Sequence, residues 1–487
     1  MHTIHFTLNG QQVVARDIDP NTTLLNWLRD QGHTGTKEGC AEGECGACAV
    51  ALLEQDGQGS RYVPVNSCLL LMGAVAGREV ISVEGVRAPG TAAALNREPH
   101  AVQTAMIDKA GSQCGYCTPG FVVSLFAEYY RKDRAQTGFD KESVGGNLCR
   151  CTGYRPIVDA GRSLPVLQPG SGDEFAQRLE SPPPPVEKLE LVHETDELAR
   201  FLFRPTRLVE AVDYLAEHPD AYLVSGGTDI VVELNQRHRR LDRMLLLEGI
   251  EELQRIGRSE AYLEIGAGVS LGRVEAELSA EVPLLGELLP LFSSRLIRAR
   301  ATLGGNLGTA SPIGDSPPAL LALDAELCLT SKSGTRWVAL CDFFTGYRQT
   351  LRERDELITS VRIPLPQPDI ARFYKVSKRE LDDISTVAAG FALRTQQGVI
   401  ESARLAYGGV AATPVRATAA EQALVGQRWG RPALSLALPA LETAFTPMSD
   451  QRGSADYRRR MVGKLLEKFW FDSAPDSPAN SSSRKVG

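Results

Sequence analysis

The sequence predicts a multidomain α+β protein. At 487 residues, the chain is too long for one hydrophobic core, because domains average about 100 to 150 residues. Strand patterns near the N-terminus give way to helical patterns near residue 100, and strands and helices alternate from about residue 196. The cysteines are unevenly divided, since eight of the ten lie between positions 40 and 151. We therefore expect three or four domains that differ in their chemistry.

The first 88 residues predict a small β-grasp domain. Residues 3–8 and 12–18 alternate around an Asn-Gly pair, which is the strongest short signal for a β-hairpin. A helix follows in "PNTTLLNWLRDQG", with Thr22 or Thr23 as its N-cap and a glycine at its end. Three further strands are predicted in "CAVALLE", "RYVPVNSCLLLM" and "EVISVEGV".

The next region predicts a compact four-helix domain over residues 89–165. Segments 99–110 and 119–132 have helical periodicity, each with a proline near its start. A second helical pair is predicted around "GGNLCRCTGYRPIVDAGRSL". Residues 166–195 are rich in proline and aperiodic, so we expect an extended linker, with Pro182–Pro185 in polyproline II conformation.

The remainder of the chain predicts two more α+β domains. One spans 196–368 and has glycine-rich turns between its elements. The other spans 369–472, with "STVAAGFALRT" and "IESARLAYGGVAAT" as strands and "TAAEQALVG" and "ADYRRRMVGKLLEKFWF" as helices. Residues 473–487 have too little apolar content to fold, and we expect them to be disordered.

Net charge and hydropathy limit the kinds of partner that the protein can have. The net charge of −7 disfavours nucleic acid as a partner, because nucleic-acid binders carry a basic excess. The N-terminus has no basic and apolar signal pattern, and no apolar run approaches the roughly 20 residues of a membrane-spanning helix. We therefore expect a cytoplasmic protein without membrane partners, in which clustered cysteines serve metal binding or catalysis rather than disulfides.

The first cysteine quartet has the spacing of a plant-type [2Fe–2S] site. Cys40, Cys45 and Cys48 form C-x4-C-x2-C, and Cys68 follows after nineteen residues. The glycines of "GCAEGECGACAV" allow the tight turn that aims several thiolates at one point. A zinc site is the alternative, although zinc sites normally show paired C-x2-C units.

A second quartet follows in the helical region. It joins a C-x2-C pair to a C-x-C pair about thirty residues later, and comprises Cys114, Cys117, Cys149 and Cys151. Four thiolates can hold either zinc or an iron–sulfur cluster, and the close C-x-C spacing favours the cluster. Cys328 and Cys341 lie in apolar surroundings, so we expect both to be small buried hydrophobic residues.

The segment "AYLVSGGTDIVVEL", residues 221–234, predicts a strand, a glycine turn and a helix start. Successive N–H groups at such a turn form a concavity for a pyrophosphate, although an ordinary strand-to-helix turn has the same pattern. "GAGVSLG" misses the G-x-G-x-x-G spacing by one residue, which excludes a Rossmann fingerprint there.

Four motifs together resemble a known family. "GCAEGECGACAV", "NSCL", "QCGYCTPGF" and "GNLCRCTGYRPI" are similar to the two [2Fe–2S] domains of the molybdenum hydroxylases, the group of xanthine dehydrogenases and aldehyde oxidases. "RARATLGGNLGTASPIGDSPPALLALDAEL" resembles the FAD-binding domain of that family, of the carbon monoxide dehydrogenase flavoprotein type. The resemblance implies one [2Fe–2S] cluster on each quartet, the first in a ferredoxin-like domain and the second in the helical domain.

The resemblance also implies which residues bind FAD. They come from the two glycine segments and from positions that follow them: Leu223, Val224, Ser225, Gly226, Gly227, Thr228, Asp229, Ile230, Phe292, Thr302, Gly305, Asn306, Thr309, Asp315, Ile358 and Lys375. Phe292 would lie against the isoalloxazine, with simple core packing as its alternative, and Lys375 would contact the flavin. The charged stretch "SKRELDDIS", residues 377–385, which includes Asp382 and Asp383, would lie near the flavin ring and influence the access of NAD, with a solvated loop as its alternative.

The implied function is electron transfer, with no catalytic residue on this chain. The resemblance predicts the small subunit of a xanthine dehydrogenase, paired with a large molybdopterin-binding subunit as a heterodimer that dimerises to a heterotetramer. Electrons from the oxidation of hypoxanthine and xanthine to urate would pass from molybdenum through both clusters to FAD and then NAD, with Gln113 contacting the pterin. An aldehyde or N-heterocycle hydroxylase is the alternative, and a zinc-stabilised scaffold is an alternative of another class.

Overall fold

The computed structural model describes residues 3–87, 98–167, 172–194 and 198–478. The chain folds into two compact units that interleave along the sequence. The first unit comprises residues 1–211, 220–250 and 294–301, and the second comprises residues 212–219, 251–293 and 302–487.

The N-terminal region of the first unit is a five-stranded sheet with one helix. Its elements are β1 Thr3–Leu8, β2 Gln11–Arg16, α1 Leu24–Asp30, β3 Ala49–Asp56, β4 Gly59–Asn66 and β5 Glu79–Ile81. The strand order is β2-β1-β5-β3-β4, with β1 parallel to β5. Asn9 and Gly10 both have positive φ, as a two-residue I′ turn requires, and Thr23 caps α1 by accepting from the Asn26 N–H at 3.3 Å.

One strand expected in this region is shorter than predicted. β4 ends at Asn66, and the "SCLLLM" segment forms two short 3₁₀ turns, Ser67–Leu69 and Met72–Val75. The chain turns there because Ser67 is tied to the first cysteine loop. Its N–H and its hydroxyl both donate to the Cys48 carbonyl, at 3.3 Å and 2.7 Å.

The helical region is built around one buried helix. Its elements are α2 Ala101–Asp108, α3 Thr118–Tyr129, α4 Arg134–Thr137, α5 Arg155–Ser163 and α6 Glu174–Arg178. The prediction of a second helical pair around the C-x-C motif is wrong in part, because α4 is a single turn and only α5 is a longer helix. Tyr154 at the N-cap of α5 has a φ of 68°, so the chain turns sharply between the cysteines and the helix.

The predicted linker, 166–195, contains regular structure. α6 lies within it and buries Phe175 against the helical core, and the strand Leu189–Glu194 ends it. α6 has five residues and buries only Phe175, and the strand buries only Leu191, so neither element has enough apolar positions to show its periodicity in the sequence.

A mixed sheet completes the first unit. Its elements are β6 Leu189–Glu194, β7 Ala199–Arg204, α7 Leu208–Glu217, β8 Tyr222–Val224, α8 Ile230–Gln236 and β9 Arg243–Leu246, of which α7 extends into the second unit. The strand order is β6-β7-β9-β8. Arg204, fully buried at the end of β7, donates to the Gly73 and Ala76 carbonyls, so this sheet packs directly on the N-terminal region.

The central part of the chain supplies a five-stranded antiparallel sheet of the second unit, in the order β10-β11-β16-β12-β13. Its segment contains β10 Ile256–Arg258, β11 Tyr262–Gly266, α9 Leu271–Leu278, α10 Pro283–Leu288, α11 Arg295–Arg298, α12 Leu303–Gly308, α13 Ser316–Ala322, β12 Glu326–Ser331, β13 Gly334–Ala339, α14 Leu340–Phe343, β14 Phe344–Gly346, β15 Gln349–Thr350 and β16 Leu357–Pro364. α11 belongs to the first unit.

The C-terminal part forms a four-stranded antiparallel sheet in the order β17-β18-β19-β20, covered by helices. Its elements are β17 Ile370–Val376, β18 Val387–Gln396, β19 Val399–Gly408, β20 Val415–Arg416, α15 Thr418–Leu424, α16 Arg431–Glu442 and α17 Ala455–Ser473. The sequence analysis missed α16, which contains Pro439 inside the helix.

The predicted disordered tail, 473–487, begins with packed residues. α17 extends to Ser473, and Ala474 and Ser477 are fully buried. The rest of that segment, 479–487, lies outside the described residues. Within the described ranges, no helix combines the length and the apolar composition needed to cross a bilayer.

Candidate cofactor sites

The first quartet lies on a loop between α1 and β3 and on the 3₁₀ turn after β4. Backbone N–H groups converge on its sulfurs, since the Cys45 N–H donates to Cys40 Sγ and the Cys40 N–H donates to Cys45 Sγ, both at 3.3 Å. A Cβ on Gly39 would lie 2.6 Å from Cys45 Sγ. The loop therefore needs glycine at this position to close around the sulfurs, as the sequence predicted.

The thiols of the first quartet interact in two pairs. A hydrogen bond from Cys45 lowers the pKa of Cys40 to about 5, and the same bond raises the pKa of Cys45. A hydrogen bond between Cys48 and Cys68 lowers the pKa of Cys48 and raises that of Cys68. Cys48 and Cys68 are buried, and Cys40 and Cys45 are partly exposed.

The second quartet also forms two pairs, on the loops before α3 and α5. The Tyr116 N–H and the Cys151 thiol lower the pKa of Cys114, and that thiol pair raises the pKa of Cys151. Burial, together with a hydrogen bond to Cys149, raises the pKa of Cys117 to about 12. Cys114 and Cys151 are exposed, whereas Cys149 is buried.

Two pairs of thiols fit a two-iron core better than a single ion. In a Cys₄ [2Fe–2S] cluster, four thiolates are shared between two irons, whereas structural zinc gathers four ligands on one ion. The pairs Cys40–Cys45, Cys48–Cys68, Cys114–Cys151 and Cys117–Cys149 thus match the chemistry of [2Fe–2S] clusters.

The Ser225–Thr228 turn of the first unit follows β8, as the sequence predicted. A Cβ on Gly226 would lie 1.9 Å from the Arg300 carbonyl oxygen, and Gly227 has a φ of 79°, so both positions require glycine. Among the described residues, the N–H groups of Gly226, Gly227 and Thr228 donate to no backbone carbonyl. They fit an anion such as a pyrophosphate. Leu223 and Val224 belong to β8, and Asp229 is the N-cap of α8, which starts at Ile230.

In the second unit, the other glycine segment forms α12 and the turn before α13. Thr302 caps α12 by accepting from the Gly305 N–H at 2.9 Å. Asn306 Oδ1 accepts a hydrogen bond from Ser316, and the Thr309 hydroxyl donates to the Asn306 carbonyl at 2.9 Å. These polar side chains are therefore held by the local fold.

A buried ion pair joins two predicted flavin residues of the second unit. Lys375 Nζ donates to Asp315 Oδ2 at 2.7 Å and to the Leu291 carbonyl at 2.8 Å, and Ser385 donates to the other carboxylate oxygen of Asp315. Both charged side chains are at least nine-tenths buried. Lys375 thus fixes the chain just before Phe292, and Ile358 is buried on β16.

The charged stretch near residue 380 is held by internal hydrogen bonds. Asp382 is buried and accepts from the Ser293 hydroxyl at 2.8 Å. Asp383 accepts from the N–H groups of Lys378 and Arg379. Both carboxylates therefore shape the loop, a role that the sequence analysis did not predict.

Two amides beside the first quartet were also missed. Asn235, on α8, donates to the Ala41 and Cys68 carbonyls, each at 2.9 Å, and Gln236 donates to the Cys40 carbonyl at 2.7 Å. These partners are more than 160 residues away in sequence, so no local pattern could indicate them. Gln113 is exposed beside Cys114. Cys328 is buried as expected, but Cys341 is exposed, so the prediction for Cys341 was wrong.

Comparison with protein families finds four matched models in series. They are a 2Fe-2S iron-sulfur cluster binding domain over residues 6–72, a [2Fe-2S] binding domain over 83–162, an FAD binding domain in molybdopterin dehydrogenase over 196–366, and a CO dehydrogenase flavoprotein C-terminal domain over 372–473.

Similar proteins agree with these models. A xanthine dehydrogenase of Emericella nidulans is 33% identical over 99% of this chain and 39% of its own length, and a nicotinate hydroxylase of the same organism is 31% identical over 96% and 40%. The chain thus spans about two fifths of these relatives.

Solved structures match the flavoprotein part. A chain of CO dehydrogenase from Oligotropha carboxidovorans is 31% identical, with a TM-score of 0.52, over 54% of this chain and 94% of that one. A chain of quinoline 2-oxidoreductase from Pseudomonas putida 86 is 28% identical, with a TM-score of 0.53, over 57% and 96%. Together these findings show that the chain belongs to the molybdenum hydroxylase family and carries its two [2Fe–2S] domains and its FAD-binding domain.

Proposed function

We propose that this chain is the electron-transfer subunit of a xanthine dehydrogenase. It would accept electrons from a molybdopterin-binding subunit and deliver them through its iron–sulfur centres and FAD to NAD. The net reaction oxidises xanthine by two electrons with oxygen from water and reduces NAD⁺ to NADH with release of a proton. FAD supplies the step from single electrons to a hydride.

The observation that carries the proposal is the link made by α8. This helix begins directly after the Ser225–Thr228 turn and ends with Asn235 and Gln236 bonded to the carbonyls of the first cysteine loop. One short rigid element thus connects the proposed pyrophosphate turn with the proposed first cluster. The hydrogen bonds of Asn235 and Gln236 would thus hold the first cluster close to the bound dinucleotide.

The second quartet is partly exposed, as expected of the site at which electrons enter the chain from a partner subunit. Cys114 and Cys151 are exposed, and Tyr116, Leu148 and Tyr154 beside them are exposed apolar residues. Exposed apolar groups around a redox centre fit a protein interface. We propose that the molybdopterin-binding subunit contacts this face and Gln113, in a heterodimer that dimerises further.

The FAD contacts proposed for the second unit are Phe292, Thr302, Gly305, Asn306, Thr309, Asp315, Ile358 and Lys375. Thr302 and Asn306 offer polar atoms from a capped helix, and Asp315 and Lys375 neutralise each other in the buried pair. A neutral pair suits contact with an uncharged ring edge, because neither charge is left alone.

The experiment is isolation of the tagged chain with its native partner. We expect a brown complex that contains iron, sulfide, FAD and molybdenum and forms NADH when xanthine is added. Hypoxanthine, nicotinate and an aromatic aldehyde are tested in parallel, with oxygen as the competing acceptor. A complex that contains zinc in place of iron, or a colourless one, would refute electron transfer itself.

An N-heterocycle hydroxylase is the second candidate. The similarity to a nicotinate hydroxylase and to a quinoline oxidoreductase favours it over an aldehyde oxidase. Nicotinate-dependent NADH formation without activity on xanthine would assign this function instead. An aldehyde as the preferred substrate would exclude both candidates.

A further inference from the structure

The two cysteine loops are hydrogen-bonded directly to each other within the first unit. The N–H of Leu148, which precedes Cys149, donates to the carbonyl of Cys45 at 2.9 Å. The side-chain amide of Asn147 donates to the next carbonyl, that of Gly46, at 3.0 Å. Two successive carbonyls of the first cysteine loop therefore accept hydrogen bonds from two successive residues of the second.

Asn147 is held rigidly at this contact. Its side chain is buried, with 2% of its surface exposed, and its Oδ1 accepts from the hydroxyl of Ser124 at 2.7 Å. Ser124 is fully buried on α3, the helix that starts directly after Cys117. Because leaving a buried amide without hydrogen-bond partners destabilises the fold, these bonds fix its orientation.

No side chain separates the two backbones at this point. A Cβ on Gly46 would lie 2.3 Å from the Gly146 carbonyl oxygen, and a Cβ on Gly120 would lie 2.1 Å from the Gly46 carbonyl oxygen. Gly46 also has a φ of 64°, which favours glycine. The loops thus approach as closely as main chains can.

We propose that Asn147 is a positioning residue that sets the spacing between the two iron–sulfur centres. The Cys45 carbonyl and the Leu148 N–H then form the bridge through which electrons pass singly from the second centre to the first. In each transfer the second centre is oxidised by one electron and the first is reduced by one, with no bond formed or broken. The proposal rests on the proposed function, and tunnelling gives its physical reason, since the rate falls steeply when bonded atoms are replaced by a gap.

The test uses the full chain with Asn147→Leu, which keeps the side-chain size and removes the amide. Asn26→Leu, an exposed site on α1, is the matched control. Iron content and visible absorption report whether both centres are present. The magnetic interaction between the two centres in the dithionite-reduced protein reports their spacing by electron paramagnetic resonance. Freeze-quenched samples taken during reduction report electron exchange between them.

We expect Asn147→Leu to retain both centres, to change their magnetic interaction and to slow electron exchange several-fold, with no change in Asn26→Leu. An unchanged magnetic interaction and exchange rate would overturn the proposal. Loss of the second centre alone would also overturn it, because Asn147 would then only support the loop that carries Cys149 and Cys151. If Asn147→Leu does not fold, the same two measurements are made on Ser124→Ala. This variant removes the hydrogen bond from Ser124 to Asn147 Oδ1. A smaller change of the magnetic interaction and of the exchange rate in the same direction supports the proposal, whereas no change in either overturns it. A wild-type protein without iron–sulfur signals would instead refute the proposed function.

Discussion

At the scale of single residues, the cysteines divide by environment. Cys68 is buried beside Cys48 in the first quartet, whereas Cys328 is buried on β12 of the second unit and belongs to neither quartet. The two residues share chemistry and burial and differ only in their proposed role. This makes Cys328 an internal control for the assignment of ligands.

Replacing Cys68 with serine tests that assignment. We expect Cys68→Ser to lose roughly half of the bound iron and sulfide, because each centre needs four ligands, while the second centre stays visible by electron paramagnetic resonance. Cys328→Ser should keep the full content. Equal iron in both variants would contradict the ligand set.

The pair of Lys375 and Asp315 permits a second test. Lys375→Met leaves the buried Asp315 carboxylate without its cation, and we expect the free energy of unfolding to fall by about 3 kcal/mol. The exposed Lys378, changed to methionine, should cost at most about 0.5 kcal/mol. Denaturant unfolding followed by tryptophan fluorescence measures both changes.

A double variant separates stability from flavin binding. Lys375→Met with Asp315→Asn removes both charges and should recover most of the stability, because no charge is left buried alone. FAD should nevertheless be lost more readily than from the wild type if the pair of Lys375 and Asp315 contacts the flavin. Full FAD retention in the double variant would argue against that contact.

At the scale of elements, α8 is the clearest case of structure that joins two sites. Asn235→Leu removes the hydrogen bonds to the Ala41 and Cys68 carbonyls at the first quartet and should cost roughly 2 kcal/mol. We expect it to shift the paramagnetic resonance signal and the reduction potential of the first centre, because the Ala41 and Cys68 carbonyls lose their donors.

The second centre serves as the reference in the same sample, since among the described residues the Asn235 side chain bonds only to carbonyls of the first quartet's segments, those of Ala41 and Cys68. Gln422→Leu, an exposed site on α15, is the matched control. A change in the resonance signals and reduction potentials of both centres, or of neither, would show that α8 does not act on the first centre specifically.

Elements with strong local signals were predicted well from the sequence. The Asn9–Gly10 hairpin and the Thr23 cap depend on residues that determine their own backbone conformation, and both are present. α6 was missed because it has only five residues and one buried side chain, Phe175, and α16 was missed because Pro439 lies inside the helix. The strand expected to run through Cys68 ends at Asn66 instead, because hydrogen bonds from Ser67 to the Cys48 carbonyl turn the chain there.

At the scale of the whole molecule, long motifs identified the family and the cysteine sets, because a metal-binding loop needs its ligands at fixed spacing. The contacts between the loops could not be found in this way. The Leu148 bond to Cys45 and the Asn235 bonds join segments that are about 100 to 200 residues apart, and neither partner carries a pattern that depends on the other. Sequence motifs therefore indicated the cofactors, and only the fold indicated how they are connected.

The contrast between the two pairs Cys48–Cys68 and Cys114–Cys151 has a consequence for biosynthesis. If both quartets bind [2Fe–2S] clusters as proposed, the buried thiols of Cys48 and Cys68 must receive iron and sulfide before the chain closes around them. The outward-facing thiols remain within reach of an assembly factor after folding is complete. Loading of the first quartet, in which Cys48 and Cys68 are both buried, would then depend on an open chain more than loading of the second, in which only Cys149 is buried.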